Sequence, residues 1–110
     1  MRKHPEYNIM EFHRGIDIKT AMGERIFASA PGTVIFSGRQ SGFGKVVIID
    51  HGQRLFTVYA HLSSIGVNRG KTVDAGDPIG RSGDTGNANG VHLHFEIRKE
   101  GKTLNPLNYL

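Results

Sequence analysis

Val91-His92-Leu93-His94-Phe95-Glu96-Ile97-Arg98 alternates strictly between apolar and polar residues. Successive side chains of a β-strand point to opposite faces. The stretch therefore predicts a half-buried strand, with Val91, Leu93, Phe95 and Ile97 towards a core and His92, His94, Glu96 and Arg98 on the other face. At a rise of ~3.3 Å per residue the two histidines stand roughly 6–7 Å apart, within reach of one ion and its ligand. A His-x-His pair on a strand face is by itself more often solvated polar surface than a site. The preceding loop shifts that balance, because residues 80–90 hold four glycines and no large apolar side chain. Such a loop lets backbone approach a ligand and leaves the next strand accessible.

The rest of the composition agrees with a β-rich domain. The chain has 110 residues, 15 of them glycine, and its Val and Ile fall in short runs instead of helical repeats. That length holds one domain with a single modest core, and the pattern predicts an all-β fold, mainly antiparallel sheet, with little helix. No apolar run approaches the ~18–20 residues that span a bilayer. Met1-Arg2-Lys3-His4-Pro5 lacks the apolar segment of a signal peptide. The absence of cysteine excludes a disulfide framework and any Cys-based metal site. A net charge of +4 points to an anionic neighbour, but the basic residues are scattered and no aromatic-basic interleaving occurs. That pattern argues against nucleic acid and suits an anionic wall polymer or membrane surface.

Along the chain, residues 1–12 read as irregular, with Pro5 and mixed charge. His13 and Asp17 are four apart, which is ~13 Å on a straight strand and too far to share an ion. Gly15, Ile16 and Ile18 argue against a helix, so the expectation is a bend at Gly15, with His13 in a loop and Asp17 opening a strand. Short strands are predicted at Ile26–Ala30 and Thr33–Phe36, followed by a glycine-rich loop from Ser37 to Gly44. Lys45-Val46-Val47-Ile48-Ile49-Asp50 is a β-branched run of the kind buried on both faces of a central strand. His51-Gly52-Gln53 connects it to a hairpin partner, Arg54–Leu62. On that partner Leu55, Thr57, Tyr59 and His61 share one face, and Phe56, Val58 and Ala60 the other. Turns are expected at Asn68-Arg69-Gly70 and Ala75-Gly76-Asp77-Pro78. The tail from Gly101 to Leu110 is expected to pack apolar groups under the sheet. Val47, Ile49, Leu93, Phe95 and Ile97 are the expected core.

Together these pieces resemble the lysostaphin/LytM-type zinc metallopeptidases, which cut peptides in bacterial peptidoglycan. The matching residues are His13-Arg14-Gly15-Ile16-Asp17, Tyr59-Ala60-His61-Leu62-Ser63, and Gly83-Asp84-Thr85-Gly86 running into Gly90-Val91-His92-Leu93-His94-Phe95-Glu96. Lesser matches are Gly44-x-Val46-x-Ile48 with His51-Gly52, Gly76-Asp77-x-Ile79-Gly80, and Asn105-Pro106 with Tyr109-Leu110. Three histidine motifs in the family's order and spacing are a specific signal, whereas each alone is weak. The resemblance implies a duplicated hybrid motif fold, in which a second small sheet and long loops border an open groove. It implies Zn2+ held by His13, Asp17 and His94, with a fourth position for a water acidified enough to attack a peptide at neutral pH. It assigns His61 and His92 to proton transfer and stabilisation of the tetrahedral intermediate. Glu96 shares their face and reads as a solvated strand carboxylate in preference to a support for a ligand.

The family tends to have a proline-containing turn after the aspartate, where this chain has Ala21-Met22-Gly23-Glu24-Arg25. That departure alters a groove edge and not the metal. The resemblance further implies that residues 1–110 are one catalytic domain of a longer envelope protein, acting outside the cytoplasm on peptidoglycan peptide. The alternative within the family is a non-catalytic LytM-like domain that binds and activates another wall hydrolase; such domains lose ligands, and here all five positions are filled. A lipoyl or biotinyl carrier needs a lysine at an exposed hairpin tip, which is lacking, and a phosphocarrier has no use for Asp17.

Overall fold

Eleven strands and their turns account for the described chain. They are β1 (Arg2–His4), β2 (Ile9–Phe12), β3 (Gly15–Lys19), β4 (Arg25–Phe27), β5 (Gly32–Gln40), β6 (Gly44–Asp50), β7 (Leu55–Ile65), β8 (Thr72–Val73), β9 (Pro78–Ser82), β10 (His92–Lys99) and β11 (Lys102–Leu104). This is a computed structural model that describes residues 2–4, 9–12, 15–86, 90–99 and 102–104, with side chains over 15–86 and 90–99. Among the described residues every strand pairing is antiparallel and there is no helix.

The main sheet runs in the order β1-β2-β3-β10-β7-β6-β5-β8. The alternating stretch at 92–99 is its centre, hydrogen-bonded to β3 on one side and β7 on the other. The second small sheet takes the form of the β4–β9 pair, which stays joined to the end of β7. Its Ile26 and Ile79 close over Tyr59, Leu93, Phe95 and Ile97, forming one core with Val47 and Ile49. Val46, Val58 and Ala60 are buried on the opposite face, beneath Phe36, Phe43 and Ile48. The β-branched run of β6 is therefore buried on both sides, as its lack of alternation requires. Each fully buried aliphatic side chain contributes roughly 1.5–3 kcal/mol of transfer free energy.

Three local expectations are corrected. Residues 2–4 and 9–12 pair as an antiparallel β1–β2 ribbon, and β2 pairs with β3. Their order comes from an existing sheet edge, which a Pro-containing, mixed-charge segment does not advertise. β5 continues to Gln40, through the expected glycine loop, because its partner β6 supplies ladder bonds as far as Gly44. Finally, β3 starts at Gly15, with Phe12 opposite it across the β2–β3 pairing, so Asp17 is mid-strand. Of the tail, Lys102–Leu104 pairs with β10; the expected packing of its apolar groups lies outside the described residues.

Candidate functional site

β3 and β10 are in a register that sets Asp17 directly opposite His94 and Lys19 opposite His92. Directly opposed residues share a face, so Asp17, His92, His94 and Glu96 project together, away from the Leu93–Phe95–Ile97 core. Gly15 makes the approach of β3 possible: its φ is +111°, and a Cβ there would overlap the Phe95 carbonyl and the Glu96 side chain.

His94 is the hub of this face. Its Nδ1 lies 2.6 Å from Asp17 Oδ1 and its Nε2 lies 2.7 Å from Glu96 Oε2. Both acceptors are carboxylates, so His94 donates from both ring nitrogens. Burial by itself pulls the His94 pKa down, but the hydrogen bonds to Asp17 and Glu96 and their negative charges outweigh it and raise the value to about 9. Glu96 is fully buried, which corrects its reading as a solvated carboxylate. Burial pushes its pKa up, and the bonds from His94 and Arg98, with their charges, more than reverse this to leave it lowered. Arg98 donates Nε–H to Glu96 Oε1 at 2.7 Å, and its Nη2 stands 2.7 Å from the same oxygen. The sequence carries Glu96 and Arg98 at the right period, but not the Phe43 ring, which stacks on His94 at 5.8 Å between centroids and lies under the Arg98 guanidinium at 5.9 Å.

His92 aims Nε2 at the other oxygen of Asp17, 3.4 Å away, and its Nδ1 is 3.2 Å from the Gly90 carbonyl. His61 arrives by a different route. Alternation along β7 assigns it to the face of Tyr59, in the core. Instead β7 carries a bulge: Val47 pairs with Tyr59 and Lys45 with Leu62, so Ala60 and His61 together oppose Val46. His61 takes φ +63°, an uncommon conformation for a residue with a side chain. The extra residue returns Leu62 to the Tyr59 core and turns His61 to the histidine face. Its ring is edge-on to His92 with centroids 4.9 Å apart, and 6.0 Å from His94.

Two residues to which the sequence assigns no role hold His61. Its backbone N–H donates to the Phe43 carbonyl at 2.8 Å, and its Nδ1–H donates to the Thr85 carbonyl at 2.7 Å. Burial lowers the His61 pKa; the Thr85 bond works against this, while neighbouring His92 and His94 add to the lowering. The ring is thus neutral at pH 7, with Nε2 as its acceptor. Thr85 sits in the quoted Gly83-Asp84-Thr85-Gly86 motif, and Phe43 is the one aromatic among turn residues at 41–43.

The structure brings Asp17, His61, His92 and His94 onto one face; His13 lies outside the described residues. Among the described residues no three such side chains make up a complete metal cage, and Asp17 and His94 are in hydrogen-bond contact with each other. Their donor chemistry nevertheless fits a divalent cation of the zinc type: one imidazole nitrogen and one carboxylate oxygen converge, with further nitrogens beside them.

An antiparallel sheet that carries these histidines and an aspartate on one open face is the arrangement of a lysostaphin/LytM-type peptidase. Residues 11–106 match the family model described as Peptidase family M23, and this chain belongs to that family. It is 40% identical over 107 residues to the DD-carboxypeptidase/endopeptidase Mpg of Neisseria meningitidis, covering 97% of the chain and 25% of the relative. It is also 40% identical over 99 residues to the murein hydrolase activator NlpD of Escherichia coli, covering 89% of the chain and 26% of the relative. The chain thus spans about a quarter of the length of these curated relatives. Among solved structures, the lysostaphin catalytic domain of Staphylococcus simulans superposes with TM-score 0.83 at 28% identity, over 88% of this chain and 77% of that one. A zinc-containing peptidase from Vibrio cholerae superposes with TM-score 0.81 at 33% identity, over 94% of this chain and 32% of that one.

Proposed function

We propose that this domain is a zinc-dependent endopeptidase that hydrolyses peptide bonds of bacterial peptidoglycan in the cell envelope. The observation that carries the reading is the convergence of Asp17, His61, His92 and His94 on a single sheet face. His13, Asp17 and His94 would hold the Zn2+, a two-imidazole, one-carboxylate set of the kind found in catalytic zinc sites. When bound, zinc supplies a Lewis acid that polarises a carbonyl and acidifies water. His61, neutral and with Nδ1–H engaged by Thr85, offers Nε2 to accept a proton from the attacking water. His92, edge-on to His61 at 4.9 Å, would stabilise the tetrahedral intermediate. Glu96 and Arg98 keep the His94 ring from rotating. The name of the Neisseria relative favours a D,D-peptide cross-link as the bond.

The similarity to NlpD supports a second reading, a domain that activates another murein hydrolase. One experiment separates the two. Purified peptidoglycan and a D,D-cross-linked muropeptide dimer are incubated with the chain alone, with one equivalent of zinc or with chelator, and the products are identified by mass. The peptidase reading expects zinc-dependent conversion of dimer to monomers. No release by the chain alone, together with faster release by an added murein hydrolase, would establish the activator reading.

A further inference from the structure

The turn between β5 and β6 lies outside the histidine motifs, yet it touches two site histidines. The Phe43 carbonyl accepts the His61 backbone N–H at 2.8 Å, and the Phe43 ring stacks on His94. The next residue, Gly44, packs backbone to backbone against Thr85 and Gly86. A Cβ on Gly44 would overlap Thr85, a Cβ on Gly86 would overlap Gly44, and both glycines have positive φ, +67° and +74°. The Thr85 hydroxyl locks this junction, donating to the Leu62 carbonyl at 2.6 Å and accepting from the Lys45 N–H at 3.1 Å. Leu62 and Lys45 are the pair that closes the bulge at His61. The Thr85 carbonyl, fixed by the same residue's hydroxyl, then takes the His61 Nδ1–H.

We infer that Thr85 is a positioning residue. Its side chain pins the bulge that turns His61 out of the core, and its carbonyl selects the His61 tautomer protonated on Nδ1, leaving the Nε2 lone pair for chemistry. A histidine serves as a proton acceptor only at the nitrogen that its other hydrogen bond leaves free, so one residue sets both the place and the reactive atom of the base. Glycine is required at position 44, where β6 begins, because no side chain fits there against Thr85 and Gly86. The inference rests on the reading of His61 as proton acceptor, and its test is built to fail separately from it.

The tautomer of His61 is read by nitrogen-15 NMR of the imidazole in the wild-type chain, in Thr85→Val and in Thr85→Ser, alongside zinc content and turnover on the muropeptide dimer. The expected record is Nδ1–H in the wild type and a mixed tautomer in Thr85→Val. Turnover number should fall roughly 10–100-fold in Thr85→Val, less than the roughly 10²–10⁴-fold of losing the base outright, with zinc stoichiometry and KM little changed. Thr85→Ser, which keeps the hydroxyl, should restore both tautomer and turnover. Nε2–H in the wild type, which needs no variant to fold, or an unchanged tautomer in Thr85→Val, would overturn the inference. A tautomer record as expected combined with full turnover in His61→Ala would instead overturn the reading of His61 as base.

Discussion

His94 and Glu96, two residues apart on one strand, are joined through Nε2 and Oε2 at 2.7 Å, with the carboxylate fully buried. The contact commits Nε2 and leaves Nδ1 as the nitrogen that faces Asp17. Metal-ligating histidines are generally oriented in this way by a partner on the second nitrogen.

Glu96→Gln tests that relationship. The amide keeps the shape but loses the charge that balances His94 and Arg98. Zinc affinity, measured by titration against a chelator of known strength, should weaken about 10–100-fold, and unfolding should come at lower denaturant. Unaltered affinity would show that the orientation of His94 is set elsewhere.

The two carboxylate bonds of His94 give metal-stripped protein a specific pH profile. The pKa of His94 rises from 6.5 in the unfolded chain to about 9 in the fold. Its contribution is therefore complete below pH 6.5 and lost as pH rises through about 9, each tenfold gain in proton affinity being worth ~1.4 kcal/mol. Glu96 moves the other way from 4.5, so its contribution is present above that value and lost as pH falls through its lowered pKa. Melting temperature in chelator should be highest between about pH 4.5 and 6.5 and should fall on both sides. His94→Ala should lack the alkaline limb. A flat alkaline profile in the wild type contradicts the His94 bonds.

His61→Ala and Asp17→Asn should fail differently. The first removes a proposed proton acceptor and should retain zinc while turnover drops roughly 10²–10⁴-fold. The second removes the anionic ligand, so zinc affinity should drop first and activity should partly return in excess zinc. Metal content and peptidoglycan clearance across a zinc titration check both. Rescue of the two variants to the same extent would erase the distinction between ligand and base.

Gly15→Ala should damage the site without touching a polar group. The new Cβ meets the Phe95 carbonyl and Glu96, at a φ of +111° that alanine resists. Relief requires β3 to move from β10, which parts Asp17 from His94. A stability loss of about 1–3 kcal/mol or more, with weakened zinc binding, is expected in denaturant and metal titrations. Wild-type stability would mean that the strands have room to spare.

Periodicity alone is enough for β10. Alternation at 91–98 names the buried Leu93, Phe95 and Ile97 and puts His92 and His94 on one face, because a strand's two-residue repeat is local. The unbroken β-branched run of β6 likewise announces burial on both sides. Tertiary structure alone decides three other matters. Asp17 meets His94 only through the β3–β10 register, between residues 77 apart in sequence. His61 faces the site only because Val46 is opposed by two residues of β7, and a bulge leaves no mark in the hydrophobic pattern. Glu96 is bonded by His94 and Arg98 of its own strand, but its full burial, like the Phe43 ring set against His94 and Arg98, comes from how other elements pack on that strand. Local pattern tells a side chain which face to take, but what lies across that face is set by which strands pair and in what register, and that is a property of the whole chain.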